Sequence, residues 1–123
     1  MSERGVILLV DDEDRILSAL RRSLRREGHE LLEASSGREA LGVLRARGVD
    51  LVVSDHKMPG MTGLELIREI AVQWPGTERL LLTGWPGELD PAELRALRVR
   101  AVIAKPWEQD ELRGAIREAL GAA

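Results

Sequence analysis

Two hydrophobic patterns alternate along the chain. Short apolar runs, such as Val6-Ile7-Leu8-Leu9-Val10 and Leu51-Val52-Val53-Ser54, are separated by segments whose apolar residues recur at helical spacing. Continuous apolar runs suit strands covered on both faces, and the segments between them suit amphipathic helices that do the covering. The expected strands lie near 5–10, 29–34, 50–54, 78–83 and 100–104. Between them, Ile16, Leu17, Leu20 and Leu24 share one helical face, as do Ala40, Leu41 and Leu44, then Leu66, Ile67 and Ile70. A last helix carries Leu112, Ala115, Ile116, Ala119 and Leu120. With a short helix after the loop that begins at Gly84, five strands alternate with five helices: an α/β parallel sheet wound on both sides.

Helix starts are marked by side-chain chemistry as well. Ser36 with Glu39, Thr62 with Glu65, and Asp90 with Glu93 all have capping-box spacing, and Pro91 suits a first helical position. Arg21, Arg22, Arg25 and Arg26 crowd the end of the first helix, where cations complement the helix dipole.

Composition narrows the functional classes. A chain of 123 residues accommodates one domain, expected over 1–123, with a core large enough to stand alone. A net charge of −3 argues against a nucleic-acid surface. The absence of cysteine excludes thiol catalysis and thiolate metal sites. No signal segment or membrane-spanning stretch is evident at the N-terminus or elsewhere, so a cytoplasmic, soluble location is expected. Phe and Tyr are absent, and the only aromatics are Trp74, Trp85 and Trp107, which leaves the core to Leu, Val, Ile and Ala.

The chemistry gathers where the runs end. Asp11 and Asp12 follow the first run, Asp55 the third, Thr83 the fourth and Lys105 the fifth. Each has an ordinary explanation: helix cap, turn residue, β-branched filler, solvated lysine. In a parallel sheet, however, all five converge on the carboxyl edge, where open α/β sheets bind ligands. Clustered carboxylates repel unless a cation or proton neutralises them, and hard oxygen ligands favour Mg²⁺. A carboxylate nucleophile, a metal and a lysine suffice for phosphoryl transfer, with Asp55 accepting the group and Lys105 and Thr83 contacting its oxygens.

Val6 to Asp12, the block Ser54-Asp55-His56-Lys57-Met58-Pro59-Gly60-Met61-Thr62-Gly63, Leu82-Thr83-Gly84 and Ala104-Lys105-Pro106-Trp107 together resemble the receiver domain of bacterial response regulators. The resemblance implies a flavodoxin-like, doubly wound sheet of order 2-1-3-4-5. It implies phosphorylation of Asp55 by a sensor histidine kinase or phosphotransfer protein, and Mg²⁺ held by Asp12, Asp55 and the backbone carbonyl of Lys57, with Asp11 acting through water. It further implies Thr83 as a switch residue, a cis Lys105-Pro106 bond, and an output domain, effector or phosphorylation-dependent homodimer downstream. The exposed side of the first helix, with its arginines, is a contact surface for the kinase in such domains.

The chain departs from that pattern in four places. Val102 stands where an inward-turning Tyr or Phe is common, and Arg98-Val99-Arg100 replaces a small, glycine-containing stretch. Lys57 and Trp85 occupy positions that in the family govern the access of water to the acyl phosphate. Two other functions stay open on the residues alone: a metal-dependent phosphohydrolase, disfavoured by Lys57 where a second acid is usual, and an interaction module that is never phosphorylated.

Overall fold

A computed structural model describes residues 5–121. Residues 1–4, where no signal segment is expected, and residues 122–123, which close the expected 1–123 domain, lie outside the described residues. Five parallel strands, β1 (Val6–Val10), β2 (Glu30–Ala34), β3 (Leu51–Asp55), β4 (Glu78–Thr83) and β5 (Ala101–Ala104), form one sheet of order β2-β1-β3-β4-β5. The helices are α1 (Asp14–Leu24), α2 (Gly37–Ala46), α3 (Gly63–Gln73), α4 (Pro91–Ala96) and α5 (Gln109–Gly121). This is the doubly wound, flavodoxin-like architecture the alternation implies, with each strand within a residue of its expected position.

Period-two alternation divides the strand residues between the two faces. Ile7, Leu9, Leu51, Val53, Leu80, Leu82 and Ile103 face α1 and α5, where they meet Leu17, Leu20, Leu24, Leu112 and Ile116. Leu8, Val10 and Val52 face α2 and α3, against Ala40, Leu41, Leu44, Leu66 and Ile70. A smaller cluster under α4 is formed by Leu64, Ile67, Leu81 and Leu89, with Leu94, Leu97, Val99 and Val102 only partly buried around it. None of the six residues of α4 is fully buried, so this helix has the least packing to hold it.

The capping chemistry is more varied than the sequence spacing. Thr62 and Glu65 make the full reciprocal box at α3. At α2, Ser36 accepts from the Glu39 N–H, but the Glu39 carboxylate turns to the backbone N–H of Ser35. At α4, Asp90 accepts from Ala92 N–H at 3.0 Å, and Glu93 is drawn away to Arg68, so the expected box there does not form. An ion pair to another helix has outcompeted the local bond. Nor does either acid of the Asp11-Asp12 pair cap α1, whose N-cap is Glu13 without a side-chain bond. Around β2, the outer strand on one side, Glu30 pairs with Arg47 at 2.7 Å and Glu33 with Arg21.

The C-terminus of α4 explains the unusual Arg98-Val99-Arg100 stretch. Arg98 has φ of 56°, the left-handed conformation usually given to glycine. Its N–H donates to Arg95 C=O and that of Val99 to Leu94 C=O, both at 3.0 Å, which is the Schellman bonding pattern. The accompanying apolar contact is present too, since Val99 and Leu94 share the small cluster. An arginine here bears a steric cost of roughly 1–2 kcal/mol that glycine escapes. Arg98→Gly should therefore stabilise the protein by about 0.5–1 kcal/mol after the glycine's extra unfolded-state entropy is subtracted. A shift of the urea midpoint to higher concentration at unchanged slope is the expected observation.

Candidate functional site

The strand order reverses between β1 and β3, and this switch point carries the acids. Asp11 follows the last residue of β1, and Asp55 is the last residue of β3. One oxygen from each of Asp11, Asp12 and Asp55 can be chosen so that all lie within 4.8 Å of one another. Asp11 is fully buried, Asp55 is 5% exposed and Asp12 faces solvent. An acidic pocket with two sunken members and one open member can hold a hard cation and still admit a ligand.

Backbone contacts fix Asp55 from several sides. The Ser54 hydroxyl donates to the Asp55 carbonyl at 2.9 Å, and His56 N–H donates to Leu82 C=O at 2.9 Å, extending the β3–β4 ladder past the site. The first turn of α3 then closes over this peptide, with Gly63 N–H donating to His56 C=O at 2.7 Å. A Cβ at residue 63 would stand 2.3 Å from the Asp55 carbonyl oxygen and 2.8 Å from His56 Cα, so only glycine fits. This contact is the reason a glycine stands at residue 63.

Lys105 reaches in from the end of β5. Its ammonium lies 3.0 Å from Asp55 Oδ1 and 3.4 Å from Asp11 Oδ2, while its N–H donates to Thr83 C=O at 2.9 Å. The Lys105-Pro106 bond is cis. Trp107, next along, packs against the core and donates its indole N–H to the buried Ser23 hydroxyl at 3.2 Å, tying the loop to α1. Thr83 is buried, and its hydroxyl accepts the Trp85 N–H at 3.1 Å. Thus Asp11, Asp12, Asp55, Thr83 and Lys105 all stand at the one edge.

Lys57 is placed differently. Its side chain extends into solvent and its ammonium lies 3.6 Å from Glu88, bridging the β3–α3 and β4–α4 loops across the mouth. Trp85, 71% exposed, also stands largely clear of the protein. His56 Nδ1 faces the Leu64 N–H at the start of α3, a long bond of 3.4 Å.

Charge and burial oppose each other in the pocket. Burial raises the Asp11 carboxyl above the usual range, and the nearby Asp55 adds to this against the lowering effects of the Glu13 N–H and Lys105. Burial also pulls the Lys105 ammonium down, but its bond to Asp55 and the two carboxylate charges outweigh that and leave it raised. The lysine is held charged, and one net negative charge remains from the two buried acids and the lysine together, with Asp12 adding another at the rim. A divalent cation matches that excess and the all-oxygen donor set.

The chain belongs to the response regulator receiver domain family, whose model matches residues 7–117. It is 35% identical over 121 residues to the hydrogenase transcriptional regulatory protein HoxA of Cupriavidus necator, covering 98% of this chain and 25% of that protein. The chain thus spans about a quarter of the length of the first curated regulators it matches. The signal receiver domain of an HD domain-containing protein from Pseudomonas fluorescens superposes with a TM-score of 0.87 at 37% identity, covering 97% of this chain and 96% of that one. The response regulator TrrA of Thermotoga maritima, solved in complex with Mg²⁺ and BeF, gives a TM-score of 0.85 at 32% identity over 94% of this chain and 98% of that one. Among the described residues no helix is long and apolar enough to cross a membrane.

The raised Asp11 carboxyl has a measurable sign. The folded protein holds that proton more tightly than the unfolded chain, so ionisation of Asp11 costs stability above its folded pKa and costs nothing below its unfolded one. With divalent cations chelated, Asp11→Asn should melt above the parent protein at neutral pH. That advantage should shrink as the pH falls through the raised pKa of Asp11, which thermal melts at several pH values will read.

Proposed function

We infer that this receiver domain accepts a phosphoryl group on Asp55 from a phosphohistidine of a sensor histidine kinase or phosphotransfer protein, in a Mg²⁺-dependent reaction. A carboxylate oxygen of Asp55 bonds to phosphorus as the phosphorus–nitrogen bond to the donor imidazole breaks; the ring takes that electron pair and, with a proton already on its other nitrogen, leaves as neutral histidine beside the new acyl phosphate. The reading rests above all on one observation: Asp55 is nearly buried at the switch point, with the Lys105 ammonium 3.0 Å away and two further carboxylates beside it.

Asp12, Asp55 and the Lys57 carbonyl would hold the metal, with Asp11 behind them. Mg²⁺ would supply neutralisation of charge shared between the carboxylates and the incoming phosphoryl oxygens. The chain's own groups do the rest. Lys105 stands ready to pair with phosphoryl oxygen once Asp55 is phosphorylated and its carboxylate charge is lost. Thr83 offers its hydroxyl from the neighbouring strand end, giving up its bond to the Trp85 N–H as it turns. Gly63 and Ser54 keep the Asp55 peptide still while the side chain reacts, which is positioning of the kind phosphoryl transfer depends on.

The family supports a switch rather than a classical enzyme. An output domain or effector protein is the natural recipient of the signal, in keeping with the quarter of each curated regulator that this chain spans, and a phosphorylation-dependent homodimer is a second route. The hydrolase reading loses ground because Lys57, where a second acid would act, points to Glu88 instead.

Incubation with acetyl phosphate and Mg²⁺, followed by intact mass, separates the readings. A single phosphoryl adduct that is absent from Asp55→Asn supports the switch; turnover without an adduct supports the hydrolase; no change supports an inert module. In addition, Mg²⁺ should raise the melting temperature of the parent protein, because a ligand held only by the folded state stabilises it by mass action. Asp12→Ala should lose most of that rise, and equal shifts in both proteins would count against the metal site.

A further inference from the structure

Arg79 is the one buried charged side chain among the described residues that the site does not use. It is 4% exposed, although arginine is almost never buried without partners. Arg79, Leu81 and Thr83 point to the same face of β4, the face over which α4 lies. Thr83 stands at the site end of that face and Arg79 at the far end, with Leu81 of the small apolar cluster between them.

The guanidinium spends its donors on backbone carbonyls. Nη1 donates to Thr77 C=O at 2.7 Å and, at the limit of a bond, to Pro75 C=O at 3.5 Å; Nε donates to Leu97 C=O at 3.0 Å. Leu97 is the C-cap of α4. The Schellman bonds there occupy the carbonyls of Leu94 and Arg95, and Arg79 takes the Leu97 carbonyl that the turn leaves over. Around it, Glu78 is engaged by Arg100, and Arg98 is held in its left-handed conformation.

The other end of α4 is held by weaker means. The Arg68–Glu93 pair joins α3 to its first turn at a half-exposed position, and surface pairs of this kind contribute little. Ahead of it runs the loop from Gly84 to Asp90, whose start is secured by the Thr83 hydroxyl on Trp85 N–H. The helix is therefore fastened at its C-terminus by a buried guanidinium, and at its N-terminus by the Asp90 cap and the apolar contact of Leu89 without any such polar anchor.

We propose that Arg79 is the fixed pivot of α4, so that release of the loop at Thr83 swings the helix about Leu97 instead of translating it. This rests on the phosphoryl-acceptor reading for its trigger, but not for the anchor itself. Val102 has no ring to turn, and a helix pinned at one end can carry the change through its free end. The surface that moves is then the N-terminal half of α4 with Trp85, and the turn from Leu97 to Arg100 stays still.

Backbone amide hydrogen exchange tests both parts. The amides of Leu97, Arg98, Val99 and Arg100 each donate to a carbonyl in this turn or to Arg79, and serve as probes. In the protein without added ligand, Arg79→Met should speed their exchange by about tenfold, with amides in β1 and β3 unchanged. Arg79→Lys, which keeps the charge but lacks the fork, should fall between the two and guards against loss of fold in the methionine variant. In the parent protein, Mg²⁺ with beryllofluoride should change exchange across 84–93 and leave these four amides as they were. Unchanged exchange in both Arg79 variants would overturn the anchor. A parent response that reaches 97–100 as strongly as 84–93 would overturn the pivot. If acetyl phosphate labels the parent chain on intact mass yet the ligand-free variants exchange normally, the acceptor reading survives and this one does not.

Discussion

The contact between the Lys105 ammonium and the buried carboxylates of Asp55 and Asp11 is what the rest of the molecule is arranged around. Two acids taken out of water beside each other repel, and one lysine offsets only part of that charge. The pocket is left with an excess that a cation, a proton or an incoming electrophile can relieve. Such an arrangement survives only in a scaffold stable enough to carry it. Here that scaffold is a parallel sheet with apolar side chains packed on both faces and its carboxyl edge left open.

Registering three strand ends to within an ångström or two takes more than hydrophobic layers. The β3–β4 ladder runs one bond past β3 through His56, which pins the peptide that follows Asp55, and the β4–β5 ladder runs one past β5 through Lys105 itself. Close approach of α3 completes the fixation at Gly63, where any side chain would drive the Asp55 peptide out of place. Backbone geometry thus does for Asp55 what a covalent cross-link does elsewhere.

Much of this was legible in the amino-acid sequence, for a physical reason. Parallel strands buried on both sides must be apolar throughout, so their ends stand out, and what stands at those ends becomes conspicuous. Asp11, Asp12, Asp55, Thr83 and Lys105 were found in that way, and each lies at the common edge. What escaped was chemistry that depends on competition in three dimensions. The Asp90 and Glu93 spacing reads as a capping box, but Arg68 on another helix claims the glutamate. Arg79 has no motif around it beyond its place in the expected strand near 78–83. Its parity with Leu81 and Thr83 was the available signal, since a charge on an inward face must find partners. Arg98-Val99-Arg100 showed only as an oddity, because a left-handed arginine is visible in φ and not in the residue type.

The ion pairs flanking β2 have a consequence of another kind. An outer strand presents unpaired backbone groups, and a second protein chain can add to it as a further strand. Glu30 and Glu33 are each tethered to an arginine from a different segment, Glu30 to Arg47 just after α2 and Glu33 to Arg21 of α1. One pair lies on each side of the sheet, so the border is straddled by charge above and below. A newcomer strand would have to desolvate both pairs before gaining its first backbone bond. A charged border of this kind disfavours strand addition along β2, while the carboxyl edge, which runs across the strand ends, stays open.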